Sequence, residues 1–206
     1  QNLNIADSYF RGKVAGGFMG QKSKHATSTS TAYLTNCTFS GLVIGDQYAG
    51  GFVGHYRTDG QDAEIYRCIN YGTVQAGSYY DSDIYAAAGG IVGYLDVTHA
   101  AFAKANTNFN RCVNYGNICN VTPGANVGGI VGRVWDNNNG VREWRFCFNF
   151  GEVTKLDHDK NKLAGSGLIG NYIHTNDKSE PKILGCGNAR KSDTGAVLDS
   201  LTWNAK

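Results

Sequence analysis

Apolar and polar positions alternate along this chain in a short register that keeps returning. From residue 112 the sequence places Cys112, Asn114, Gly116 and Ile118 at every second position, the side-chain period of a β-strand. The register recurs as Cys37, Phe39, Gly41 and Val43, as Cys68, Asn70, Gly72 and Val74, and as Cys147, Asn149, Gly151 and Val153. A weaker first copy reads Ser8, Phe10, Gly12 and Val14, and a decayed last one keeps Cys186 and Asn188. Downstream of each full copy stands a glycine-flanked apolar pair, as in Gly89-Gly90-Ile91-Val92-Gly93 and Gly128-Gly129-Ile130-Val131-Gly132. Its closing glycines fall at positions 20, 54, 93, 132 and 170, intervals of 34, 39, 39 and 38 residues. Each unit therefore predicts a strand, a turn, a short strand, a glycine turn, an apolar strand and a polar loop of variable length. Helical periodicity is absent, apart from one turn that residues 100–105 could form.

A fixed period of this length marks a repeat architecture in which each unit buries its apolar face only against its neighbours. The expected fold is all-β, a right-handed parallel β-helix (β-solenoid) of about five coils. The alternative is a β-sandwich or barrel of short strands, which regular turn signals also suit. Residues 1–206 are expected to form a single domain, with 185–206 as a degenerate C-terminal coil that caps the stack, residues 199–203 covering the last coil. Inward positions should carry Cys, Asn (Phe in the first two copies), Gly and Val. Buried asparagines such as Asn70, Asn114 and Asn149 would bond the backbone of their own or a neighbouring coil. The glycines are expected to supply positive φ at the corners.

The Cys-x-Asn-x-Gly-x-Val register followed by Gly-Gly-Ile-Val-Gly or Gly-Leu-Ile-Gly resembles the GLUG repeat family over residues 8 to 190. That family occurs in bacterial cell-surface proteins, among them adhesin-like proteins and regions flanking the catalytic domain of immunoglobulin-A-cleaving metallopeptidases. The resemblance implies a β-solenoid in a bacterial surface or secreted protein. His-Glu-x-x-His, the zinc-peptidase signature, is not in the sequence.

Composition narrows the function classes. Nineteen basic and 17 acidic residues leave a net charge of +2, too weak a field to gather nucleic acid or an anionic membrane. No apolar run approaches the roughly 20 residues of a membrane-spanning helix, so membrane insertion is not expected. Because the chain starts in mid-pattern at Gln1, it is read as a mature protein or a segment of a larger exported one, extracellular or at the cell surface. Five of the six cysteines (Cys37, Cys68, Cys112, Cys147 and Cys186) share one repeat position. They should stack at about 4.8 Å as small internal thiols rather than disulfides; Cys119 has no repeat partner.

Between the inward residues lie Ile69 and Tyr71, Val113 and Tyr115, and Phe148 and Phe150, where the earlier copies carry Tyr9 and Arg11 or Thr38 and Ser40. If this face is open, three adjacent coils present an apolar, aromatic stripe suited to a ligand or partner, and aromatic rings at coil spacing suit flat sugar faces. If loops cover the face, the stripe is structural. These six residues are the candidate binding site, with host or microbial surface glycan or protein as the expected partner.

Catalytic chemistry has weaker support. His25, His55 with Asp59 and Asp62, Asp96 with His99, and His174 with Asp177 fall in the segments after the glycine turns, with no recurring ligand spacing, and are read as solvated loop residues. Residues 136–140 invite a calcium reading, but the sixth and twelfth positions from Asp136 are Val141 and Cys147, not glycine and glutamate. Asp81 with Asp83 and Asp157 with Asp159 are short acidic loops. Glu64, Glu143, Glu152 and Glu180 sit at different places in their repeats. No cofactor and no metal site is expected, and no nucleophile elbow or phosphate loop is present. The leading expectation is a non-catalytic adhesin or recognition module. A polysaccharide-degrading enzyme with Asp59, Asp62, Asp96 and Asp136 in one groove is the second reading. A structural spacer or filament unit that self-associates end to end through open coil edges is the third.

Overall fold

A computed structural model describes residues 1–22, 32–58, 62–77, 86–97, 106–136, 141–156, 162–174 and 181–188. These form 22 strands and no helix. The strands make three sheets, two of them five-stranded, and a large one of twelve. Each strand lies parallel to its counterpart one repeat away. Met19–Lys22, Val53–Arg57, Val92–Val97, Val131–Asp136 and Ile169–His174 form one five-stranded sheet. Ala32–Thr35, Ala63–Tyr66, Thr107–Asn110, Arg142–Arg145 and Lys182–Leu184 form the other. Among the described strands only Lys162–Ala164 pairs antiparallel, against Val153–Leu156.

Parallel, in-register pairing converts the sequence repeat into columns of like side chains. Leu34, Ile65, Phe109, Trp144 and Ile183 face one another in turn. Val53, Val92, Val131 and Ile169 do the same, as do Val43, Val74, Ile118 and Val153. Together with Cys37, Cys68, Cys112 and Cys147 they make up most of one continuous core, in which each fully buried large apolar side chain contributes about 1.5–3 kcal/mol.

A single inward substitution sets the shape of the large sheet. The second repeat has Phe39 where later repeats have Asn70, Asn114 and Asn149, and there Thr38–Gly50 runs unbroken for 13 residues. In the third repeat the Asn70 Oδ1 accepts from Gly72 N (3.0 Å) and its Nδ2 donates to Gly72 O (3.0 Å). That local turn breaks the strand into Ile69–Asn70 and Thr73–Ala76. Each amide also donates to the next one along the stack, Asn70 to Asn114 and Asn114 to Asn149 at 2.7 Å, Asn149 to Asn188 at 3.0 Å. A buried polar group in a core needs this full satisfaction.

The corners differ from expectation. Positive φ falls on the residue before each repeat cysteine: Asn36 (53°), Arg67 (51°), Arg111 (55°), Phe146 (53°) and Gly185 (62°). Among the described motif glycines Gly41 takes a positive φ (146°); at the others the reason is space. A Cβ on Gly90 would lie 2.6 Å from Asn114 Cγ and would overlap the Gly129 carbonyl oxygen, so a side chain there would push adjacent coils apart.

Cys37, Cys68, Cys112, Cys147 and Cys186 of the column are thiols, not disulfides. In the column, Cys112 Sγ donates to Ile65 O and Cys186 Sγ to Trp144 O, both at 3.3 Å. Burial pushes the Cys68 thiol up to about 12. Of the expected cap over 185–206, only residues 185–188 are described.

Candidate functional site

The Asn-x-Gly turn aims its middle residue outward. That residue is Tyr71, Tyr115 and Phe150 in three consecutive repeats, and these side chains are 54%, 48% and 46% exposed. Their rings stack: Tyr71 on Tyr115 with centroids 5.2 Å apart and planes 6° from parallel, Tyr115 on Phe150 at 5.0 Å and 12°. Each such contact contributes about 0.5–1.5 kcal/mol beyond burial. The stack has a chemical consequence. Ring faces are turned toward one another, so the ladder presents edges and the two tyrosine hydroxyls to solvent, rather than a row of open faces of the kind a sugar ring packs against.

Two residues before each ring stand Ile69, Val113 and Phe148, half-buried and in register. Two further back are Arg67, Arg111 and Phe146, all exposed, placed on the same face by the left-handed corner. The six residues singled out from sequence therefore share one face, and Arg67, Arg111 and Phe146 extend it. Sequence reasoning missed these three, although their position immediately before the repeat cysteine was a sufficient signal. The face spans about 10 Å across three coils.

Its borders are well marked. Toward the N-terminal end the same positions are polar and bonded to each other, Asn36 to Asn2 (3.2 Å) and Thr38 to Asn4 (2.6 Å). Toward the C-terminal end the Phe146 ring packs on Gly185, where a Cβ would sit 2.8 Å from it. Phe148 packs in the same way on Gly187. Beside the arginine edge, the Arg67 guanidinium lies 4.9 Å over the Tyr66 ring, and Arg111 donates to the Tyr66 hydroxyl at 3.4 Å. Arg145 is paired with Glu143 at 2.7 Å, a hydrogen bond that lowers the glutamate's carboxyl below its ordinary value.

Among the described residues Asp62, Asp96 and Asp136 do not share one groove. Asp62 is exposed and accepts from Asn106 N at 2.7 Å. His55 and Asp96, expected on loops, lie on the strands Val53–Arg57 and Val92–Val97. Parallel pairing of those strands brings them within 3.7 Å, and His55 stacks on Tyr94 at 4.8 Å. Asp136 points into the core. Its carboxylate bonds Arg142 at 2.9 Å with both side chains fully buried, and Tyr172 donates to it at 2.7 Å. Burial, followed by the Asp136 charge, pushes the Tyr172 hydroxyl well up. The reason is compensation: a carboxylate enters a core only with a cation and donors beside it. That location also replaces the polar turn expected at residue 136. His25, Asp59, Asp81, Asp83, His99, Asp157, Asp159, Asp177 and Glu180 lie outside the described residues, as do residues 100–105, 137–140 and 199–203. His174 is placed only as a strand residue. Among the described residues no three His, Cys, Asp or Glu side chains gather as a metal site.

No family model matches the chain, so its likeness to GLUG repeats rests on the repeat residues themselves. No curated protein matches it either. Among solved structures it is similar to a crystal structure described as a "putative immunoglobulin A1 protease" from Bacteroides ovatus. The TM-score is 0.51 over 98% of this chain at 17% identity, and the chain spans 58% of the length of that one. At that identity the likeness is one of fold alone.

Proposed function

We propose that the chain is a right-handed parallel β-solenoid of GLUG-type coils, one domain with its degenerate last coil as a cap, acting as a non-catalytic recognition module of a bacterial cell-surface or secreted protein. Parallel stepping of every repeat strand onto its counterpart supports the solenoid over a sandwich of antiparallel strands. The observation that carries the functional reading is the exposed face built on Tyr71, Tyr115 and Phe150 with Ile69, Val113 and Phe148. Thr38 pairs in register with Ile69, and Ser40 stands where the next coil has Tyr71, so the coil stack does not require large apolar side chains at these positions. A fold of this kind making up part of a longer bacterial chain supports reading it as a module.

The test is a binding screen of the purified chain against arrays of surface glycans and of peptides, with Tyr71→Ser/Tyr115→Ser/Phe150→Ser in parallel and circular dichroism as the folding control. Binding that disappears in the folded triple variant is the expected result. Binding of equal strength in that variant removes the face from the mechanism. Turnover of any arrayed glycan or peptide would move the chain to the enzymes.

A further inference from the structure

The face described above differs from edge to edge, and the difference points to the chemistry of its partner. Along one edge Arg67 and Arg111 occupy equivalent corners of adjacent coils, both exposed, with backbones about 5 Å apart. Among the described residues neither has a carboxylate partner, whereas Arg142 is paired with Asp136 and Arg145 with Glu143. Tyr66 gathers both cations, its ring under the Arg67 guanidinium and its hydroxyl accepting from Arg111, and like charges held side by side repel. A carboxylate placed between them converts the repulsion into charge-assisted, bidentate hydrogen bonds.

Inward of this edge, the floor formed by Ile69, Val113 and Phe148 has no hydrogen-bonding side-chain atom. A saccharide laid on it would leave hydroxyls unpaired, at a cost of about 1–3 kcal/mol for each one desolvated. The ring ladder beyond offers edges rather than faces. Three coils span only about 10 Å, a width that an extended segment of a few residues crosses, so the face fits a short segment. Aromatic and arginine side chains around an apolar centre are also the residues that dominate peptide and protein hot spots.

We infer that the face binds a short acidic and apolar peptide segment of another protein, a carboxylate lying between Arg67 and Arg111 and a branched or aromatic side chain resting on Ile69, Val113 and Phe148 beside the Tyr71, Tyr115 and Phe150 ladder. This rests on the recognition reading above and narrows it.

The experiment selects a phage-displayed random dodecapeptide library on the chain, on Arg67→Asn/Arg111→Asn and on Tyr71→Ser/Tyr115→Ser/Phe150→Ser. Asparagine already occupies this corner at Asn36 with φ of 53°, so the arginine variant removes charge without straining the backbone. The expected result is enrichment of peptides with Asp or Glu a few residues from Leu, Ile or Phe. Synthetic copies should lose about tenfold in affinity on the arginine variant and weaken as salt rises. Enriched peptides without acidic residues, or indifferent to the arginine variant, overturn this inference; if they still fail on the aromatic variant, the recognition reading stands. Failure of the library alongside capture of hyaluronate or heparin fragments overturns the peptide and keeps recognition through a glycan. Failure of library and fragments alike overturns both.

Discussion

Substituting Asn114 by aspartate exchanges one NH2 group for an oxygen at the centre of the buried amide ladder. In the native chain Asn114 Nδ2 donates to Gly116 O at 2.8 Å and to Asn149 Oδ1 at 2.7 Å. Its Oδ1 accepts from Asn70 Nδ2 at 2.7 Å and from Gly116 N at 3.2 Å. An aspartate oxygen in the Nδ2 position faces two acceptors. When protonated it can donate to one of them, so the loss is about one buried hydrogen bond, roughly 1–3 kcal/mol. When ionised it donates to neither and repels both, in a site with no solvent access. The folded carboxyl is therefore raised above its unfolded value of about 3.9. Below that value both states are protonated and only the neutral cost applies. Above it the unfolded chain ionises while the folded one resists. Stability then falls by about 1.4 kcal/mol per pH unit until the folded group itself titrates, moderated by the two donors on Oδ1. The expected extra loss between about pH 4.5 and pH 7 is up to roughly 3 kcal/mol. Urea unfolding at both pH values, with Asn114→Ala as the control that cannot titrate, measures it. A deficit for Asn114→Asp that is equal at the two pH values would refute the assigned donor and acceptor roles.

Other perturbations follow from the same columns. Asp136→Asn leaves Arg142 charged in a fully buried site and should cost about 3–5 kcal/mol. The triple variant Asp136→Val/Arg142→Thr/Tyr172→Phe copies Val97 and Thr107 of the preceding repeat and leaves no hydroxyl without its acceptor, and it should recover most of that loss in thermal unfolding. At the left-handed corner, Arg111→Val should lower stability by about 1–2 kcal/mol, because a β-branched residue tolerates this φ poorly. Arg111→Gly should be neutral or stabilising despite the equal loss of side-chain contacts. With Cys68 raised to about 12, its thiolate fraction near pH 8 is on the order of one in ten thousand. Native protein should therefore leave Cys68 unmodified by a thiol reagent that labels it readily in denaturant.

The columns were legible in the sequence because two periodicities coincide there. Alternation assigned Cys112, Asn114 and Ile118 to the inside and Val113 and Tyr115 to the outside, and the repeat then multiplied each assignment. Features confined to one repeat, or arising between repeats, were hidden. Asp136 is preceded at its level by an apolar valine, Val97, so nothing in the repeat signalled an acid inside; the matching Arg142 lies across a segment of variable length. His55 and Asp96 meet because Arg57 pairs with Asp96 and His55 with Tyr94, a register that the glycine-to-residue offsets in sequence do not reveal. The corner misled in the opposite direction. Glycine is the usual signal for positive φ, yet at Gly90 and its equivalents glycine is required by close approach of coils, and at the corners of three successive repeats the positive φ falls on Arg67, Arg111 and Phe146.

That inversion bears on how such a chain acquires function. Inward positions are held by cross-repeat contacts: an Asn must bond the Asn of the next coil, and a glycine must let a carbonyl pass. Outward positions of the same strands have no such obligation, since alternation decouples the two faces of a strand. Thr38 in one repeat and Phe148 in another sit on equivalent backbones. The exposed chemistry can therefore change from coil to coil while the fold stays constant, and a binding face becomes a matter of which consecutive coils share an outward residue type. The left-handed corner adds a third outward column that a glycine would have left bare. By placing Arg67 and Arg111 there, the chain sets charge beside the apolar floor at a position where most β-folds have no side chain to offer.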